Sequence, residues 1–138
     1  MMKKVLNILT LITILGAISC NSDESEIQIN PKSVTDCSLN SDPNFTGICL
    51  DGATSVLINE TITYASKATA NFTEIQWTIN SGNIEIQSIE NSIDDGMLKS
   101  IATIKFNSDF DGGSLNVKAI NDNGELAEIQ NYTIELEN

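Results

Sequence analysis

The chain has 138 residues, 41% of them hydrophobic, and sets 7 Lys, no Arg and no His against 19 acidic residues, for a formal charge of −12. A chain of this length suits one domain, and the missing imidazole and guanidinium groups remove the usual proton shuttle, the commonest nitrogen metal ligand and the bidentate phosphate clamp. Lys3 and Lys4 lie at the very start, so the rest carries 5 Lys against 19 acids, or −14; such a surface repels phosphate backbones, which sets nucleic-acid binding aside, as the missing His and Arg set aside phosphoryl transfer and triad chemistry.

The first element is "MMKK" followed by "VLNILTLITILGAIS" and Cys20. A basic start, a short apolar run and small residues before a cleavage position are the pattern of an export signal. Asn7, Thr10 and Thr13 interrupt the apolar run, which is also shorter than the roughly 20 residues a membrane-spanning helix needs. Ala17, Ile18, Ser19 and Cys20 resemble the lipobox of a bacterial lipoprotein signal. That resemblance implies a leader over 1–19, cleavage before Cys20 and acylation of its thiol, so that the membrane is reached through an N-terminal lipid. A plain export signal with an unrelated cysteine is the alternative. Each buried methylene contributes about 0.8 kcal/mol and one chain alone holds marginally, so two or three chains are needed to keep an acidic body on a membrane that repels it.

After Cys20 comes "NSDESE", with Asp23, Glu24 and Glu26 beside the expected lipid. This resembles the acidic export signal of lipoproteins of the Bacteroidota, which implies the outer membrane and its cell-surface face. A periplasmic face with a plain solvated tether is the other reading. The tether is expected over 20–35. Three cysteines leave one odd thiol, which acylation of Cys20 accounts for. Cys37 and Cys49 remain, in a polar segment with Pro43 and Gly47 as turn residues, and an exported context makes a disulfide between them the expectation, closing a loop over 36–52.

From residue 53 the sequence changes to short β-branched and apolar runs separated by turn residues. Seven strands are expected: "TSVLIN", "ETITYASKAT", "TEIQWTIN", "NIEIQSIE", "SIATIKFN", "SLNVKAIN" and "AEIQNYTIEL". Alternation puts Ile75, Trp77 and Ile79 on one face, and likewise Ala102, Ile104 and Phe106, and Leu115, Val117 and Ala119. Each strand is therefore expected to have one wet and one dry side. Turns are expected at "NSGN", "DDG", "DFDGG" and "NDNG". The fold class is thus an all-β antiparallel sandwich of about seven strands, Ig-like in its single Trp on the third strand.

Two stretches, "NETITYASKATANFTEIQWTINSG" and "SIATIKFNSDFDGGSLNVKAINDNG", resemble PKD-type and related Ig-like domains of surface proteins in the Bacteroidota, over about residues 54–138. The resemblance implies an inter-sheet core around the Trp, and a role as stalk, spacer or binding module for a protein or glycan partner. Asp94 with Asp95, and Asp109 with Asp111, are the tight carboxylate clusters near turns. Calcium needs six to eight converging oxygens, and Asp and Gly are also what hairpin turns require, so no metal, cofactor or catalytic residue is assigned. The rival from another class is a small hydrolase using these carboxylates as acid and base. Asn44, Asn59, Asn71 and Asn131 each begin an N-x-T sequon, read as chance in an Asn-rich chain, and the aromatic residues are expected in the core.

Overall fold

The computed structural model describes residues 28–40 and 42–138; the leader, Cys20 and the acids that follow it lie outside them. Every regular element among the described residues is a strand, as the period-two pattern requires. One sheet is built from β1 (Ile48–Asp51), β3 (Thr61–Ala68), β5 (Ile84–Asp94) and β6 (Met97–Phe106), in the order β1-β3-β6-β5. The other holds β2 (Ser55–Val56), β4 (Glu74–Ser81), β7 (Gly113–Ile120) and β8 (Leu126–Leu136), in the order β2-β8-β7-β4. All pairings are antiparallel except that of β2 with β8. The chain is a β-sandwich. Its strand order is that of the constant-type immunoglobulin sandwich, with the first strand divided between the two sheets.

Eight strands stand where seven were expected. β1 falls inside the segment read as the disulfide loop, so the sandwich begins at Ile48 rather than near 53. The strand expected over 54–59 shrinks to Ser55–Val56, because the chain turns at once: Glu60 N–H donates to the Leu57 carbonyl and Asn59 takes φ 62°. β5 and β6 run right up to a two-residue turn at Asp95 and Gly96, with φ 51° and 75°. Two positive φ values make the turn that matches strand twist, so the hairpin is longer than the apolar runs suggested. The other expected turns each contain a positive-φ glycine: Gly82, Gly112 and Gly124.

Alternation sets the core. Ile62, Tyr64, Ala102, Ile104 and Phe106 from one sheet meet Trp77, Leu115, Val117, Ala119 and Ile134 from the other, all buried. Fully burying one such large side chain contributes about 1.5–3 kcal/mol, and these residues form one continuous cluster. Trp77 donates its indole N–H to Ser100 Oγ at 2.9 Å, a cross-sheet tie between β4 and β6. Phe110 stacks edge-on against Phe106, with ring centroids 4.9 Å apart.

The crossing from β1 to β2 takes the chain from one sheet to the other, and two tyrosines hold it. Tyr64 donates to the Ala53 carbonyl and Tyr132 to the Gly52 carbonyl, each at 2.6 Å. Burial pushes the Tyr64 phenol up from its ordinary value, keeping it a neutral donor. Gly52 lies against the Tyr64 ring so closely that a Cβ there would overlap it. A glycine is required at this point for the close approach, not for φ.

Candidate functional site

The segment before β1 is not a free tether over its whole expected length. Asn30 and Lys32 bond Glu60, Lys32 also pairs with Glu137, and Val34 N–H donates to the Thr63 carbonyl at 3.1 Å. Asp36 then reaches Lys67, and Cys37 is joined to Cys49 by a disulfide with Cα atoms 6.0 Å apart. The chain from 30 to 37 therefore runs alongside β3 from its first residues to its last. It forms a strap that meets the β3 edge at Thr63, beyond the last residue paired with β1, and reaches the outer face at Lys67.

That strap explains a departure from the wet-and-dry pattern. Ala65 and Lys67 share the outer face with Thr63, yet both are buried. Lys67 is the centre of the site. Its Nζ lies 2.6 Å from Asp36 Oδ1 and 3.0 Å from Asp94 Oδ2, with Lys99 Nζ 3.6 Å from the same Asp94 oxygen. A buried ammonium needs such partners, because desolvation without them costs several kcal/mol. The bonds from Lys67 hold the Asp36 and Asp94 carboxyls below the usual carboxylate range, and those carboxylates in turn raise Lys67.

Beside this charged cluster is a cleft of about 540 Å³ between the disulfide loop and the ends of β3 and β6. Asp36, Asp42, Asp95, Phe45, Lys67 and Met97 are among its walls. Phe45 is half-exposed there, a departure from the expectation that every aromatic side chain is core. The loops between β3 and β4 and between β7 and β8 lie at the same end, tied by Asn71 to Glu125 and by Asn121 to the Asn71 carbonyl. Donation from the Asn71 and Asn121 side chains holds the Glu125 carboxyl low.

The expected carboxylate clusters separate. Asp94 and Asp95 stand at the cleft end of β6, and Asp109 and Asp111 follow its other end. Ten residues at about 3.3 Å each lie between them, so the two clusters cannot share one cation. Asp94 is occupied by lysines, and Asp109 accepts from Asn83. Among the described residues no group of three or more acidic or thiol ligands gathers, and no helix is long and apolar enough to cross a membrane. Asn59 and Asn131, two of the sequon residues, occupy positive-φ positions with φ 62° and 54°; a backbone requirement explains asparagine there.

Sequence reasoning missed Lys67. Alternation puts it on the solvent side of "TITYASKA", and only its neighbours Ser66 and Ala68, small residues over which a second segment can pack, hint at cover. No family model matches the chain, and none of the curated proteins compared with it is similar in sequence.

Proposed function

We propose that the chain is an exported lipoprotein, acylated on Cys20, that holds a non-enzymatic binding or structural module of PKD-like type at the outer membrane, facing the cell surface. The observation that carries this reading is polarity along β3. The chain enters beside Glu60 and Glu137, whereas the cleft and the loops at 69–73, 95–96 and 121–125 gather at the opposite end. Eight residues of β3 separate the two ends by about 26 Å. A body anchored through its N-terminal side would thus present that cleft away from the lipid, to a protein or glycan partner.

Chemistry supports the same reading. A general acid needs a carboxyl held protonated, and Asp36 in the cleft wall and Asp94 behind it on Lys67 are held ionised instead. The Cys37–Cys49 disulfide suits an oxidising compartment. Metabolic labelling with a clickable fatty acid tests the anchor. The full chain should be labelled and the Cys20→Ser variant should not; equal labelling of both, or of neither, would overturn it. Protease treatment of intact cells separates the two faces of the membrane: cleavage is expected for a surface domain and protection for a periplasmic one.

A further inference from the structure

β5 is an edge strand, paired with β6 and with nothing on its other side among the described residues. After the register shift at 86–88, pairing with β6 is regular to the turn, and residues 88–93 are exposed on both faces of the sheet. In a two-residue hairpin the flanking pair, here Asp94 and Met97, exchanges both main-chain hydrogen bonds. By alternation the N–H and C=O groups of Ile93, Asn91 and Ile89 turn outward, unpaired. Natural edges of this kind are blunted with Lys, Pro or inward-pointing charge. The run "SIENSID" has no Lys and no Pro.

Its side chains sort by face. Ile89 and Ile93 lie on the core-facing side, opposite Ala102 and Leu98, yet they are 43% and 70% exposed. Glu90 lies on the outer side opposite Ile101, with no lysine across from it. Asp94 on that side is already bound by Lys67 and Lys99. The edge thus offers three outward main-chain positions, two exposed isoleucines flanking Asn91 on one face, and on the other a carboxylate with no lysine partner among the described residues.

We propose that β5 takes up an extended segment of a basic partner protein as an added strand. Main-chain bonds form at Ile89, Asn91 and Ile93, apolar side chains of the segment cover the two isoleucines, and a Lys or Arg on the opposite face meets Glu90. A second copy of this chain fits the edge poorly. Outside its leader each copy carries 5 Lys against 19 acids, so pairing β5 with itself brings two strongly acidic bodies together, whereas the same field draws in a cationic segment. This deepens the binding-module reading and rests on it, but it is independent of the anchor, since the Cys20→Ser chain keeps the same edge.

The test titrates the full chain in detergent against a fluorescent seven-residue peptide of alternating valine and lysine, read by anisotropy, with a valine–glutamate peptide as the control. The lysine peptide should saturate, weaken as salt rises, and bind Cys20→Ser equally. Asn91→Pro removes an outward N–H without touching the β6 ladder and should weaken binding at least tenfold, while Asn91→Thr retains it. Glu90→Lys should weaken it several-fold. Failure of the lysine peptide to saturate, equal binding of the glutamate peptide, or unchanged binding by Asn91→Pro would overturn the proposal. So would a wild-type dimer that Asn91→Pro dissolves, which would make a second copy the occupant.

Discussion

β3 and β5 flank β6 in the same sheet, yet β3 is covered on both faces over 64–68 and β5 is open on both over 88–93. Their compositions do not foretell this. Both alternate apolar and polar residues, and both carry small hydroxyl side chains. The difference comes from what lies over them: β3 has the opposite sheet on one side and the 30–37 strap on the other, while β5 overhangs with neither. Burial of a strand is thus a property of its neighbours in space, and an alternating pattern fixes which residues share a face without fixing how many faces are dry.

The largest expected effect comes from breaking β3 at its centre. Tyr64→Ala removes a fully buried ring and the donor to the Ala53 carbonyl, and should cost about 4 kcal/mol in denaturant unfolding. Releasing the strap comes next. Cys37→Ser with Cys49→Ser should cost about 3 kcal/mol, with added exposure confined to β3 and its strap. Changing β5 should matter least: Ile93→Ser, at a position already open to solvent, should stay within about 0.5 kcal/mol. A β5 substitution as costly as the β3 one would erase the contrast.

The ion pairs of the strap sharpen it through pH. Asp36 and Asp94 are held below their ordinary value of 3.8 by Lys67, so their contribution is present above that value and disappears as pH falls through the lowered ones. Lys67 is raised above 10.5, so its share is complete below 10.5 and lost as pH climbs past it. The contribution of these pairs to the melting temperature should therefore be constant between those limits and fall on the acid side. Asp36→Asn with Asp94→Asn should make that acid fall shallower.

Much of the sandwich was legible in the chain. Ile75 and Trp77, Ala102 to Phe106, and Leu115 to Ala119 lie on the faces that alternation assigned them, and the expected turns fall at glycines with positive φ. The hairpin at Asp95 and Gly96 is longer than the expected strands because Ile93 and the pair Met97 and Leu98 are short apolar fragments among polar and turn residues, a pattern that resembles a loop until the turn geometry is known. β1 was hidden by proximity to the disulfide. The cleft was not legible at all: Asp36, Lys67 and Asp94 are separated by 31 and 27 positions in the chain, and it takes the strap along β3 to bring Asp36 to Lys67, and the pairing of β3 and β5 with β6 to bring Asp94 there.

Amide hydrogen exchange on the full, oxidised chain tests the contrast most directly. Val34 should be protected through its bond to Thr63, and in β5 the amides of Glu90 and Ser92 should exchange slowly while those of Ile89, Asn91 and Ile93 exchange fast. Free exchange at Val34, or uniform protection from 88 to 94, would contradict a strapped β3 beside an open β5.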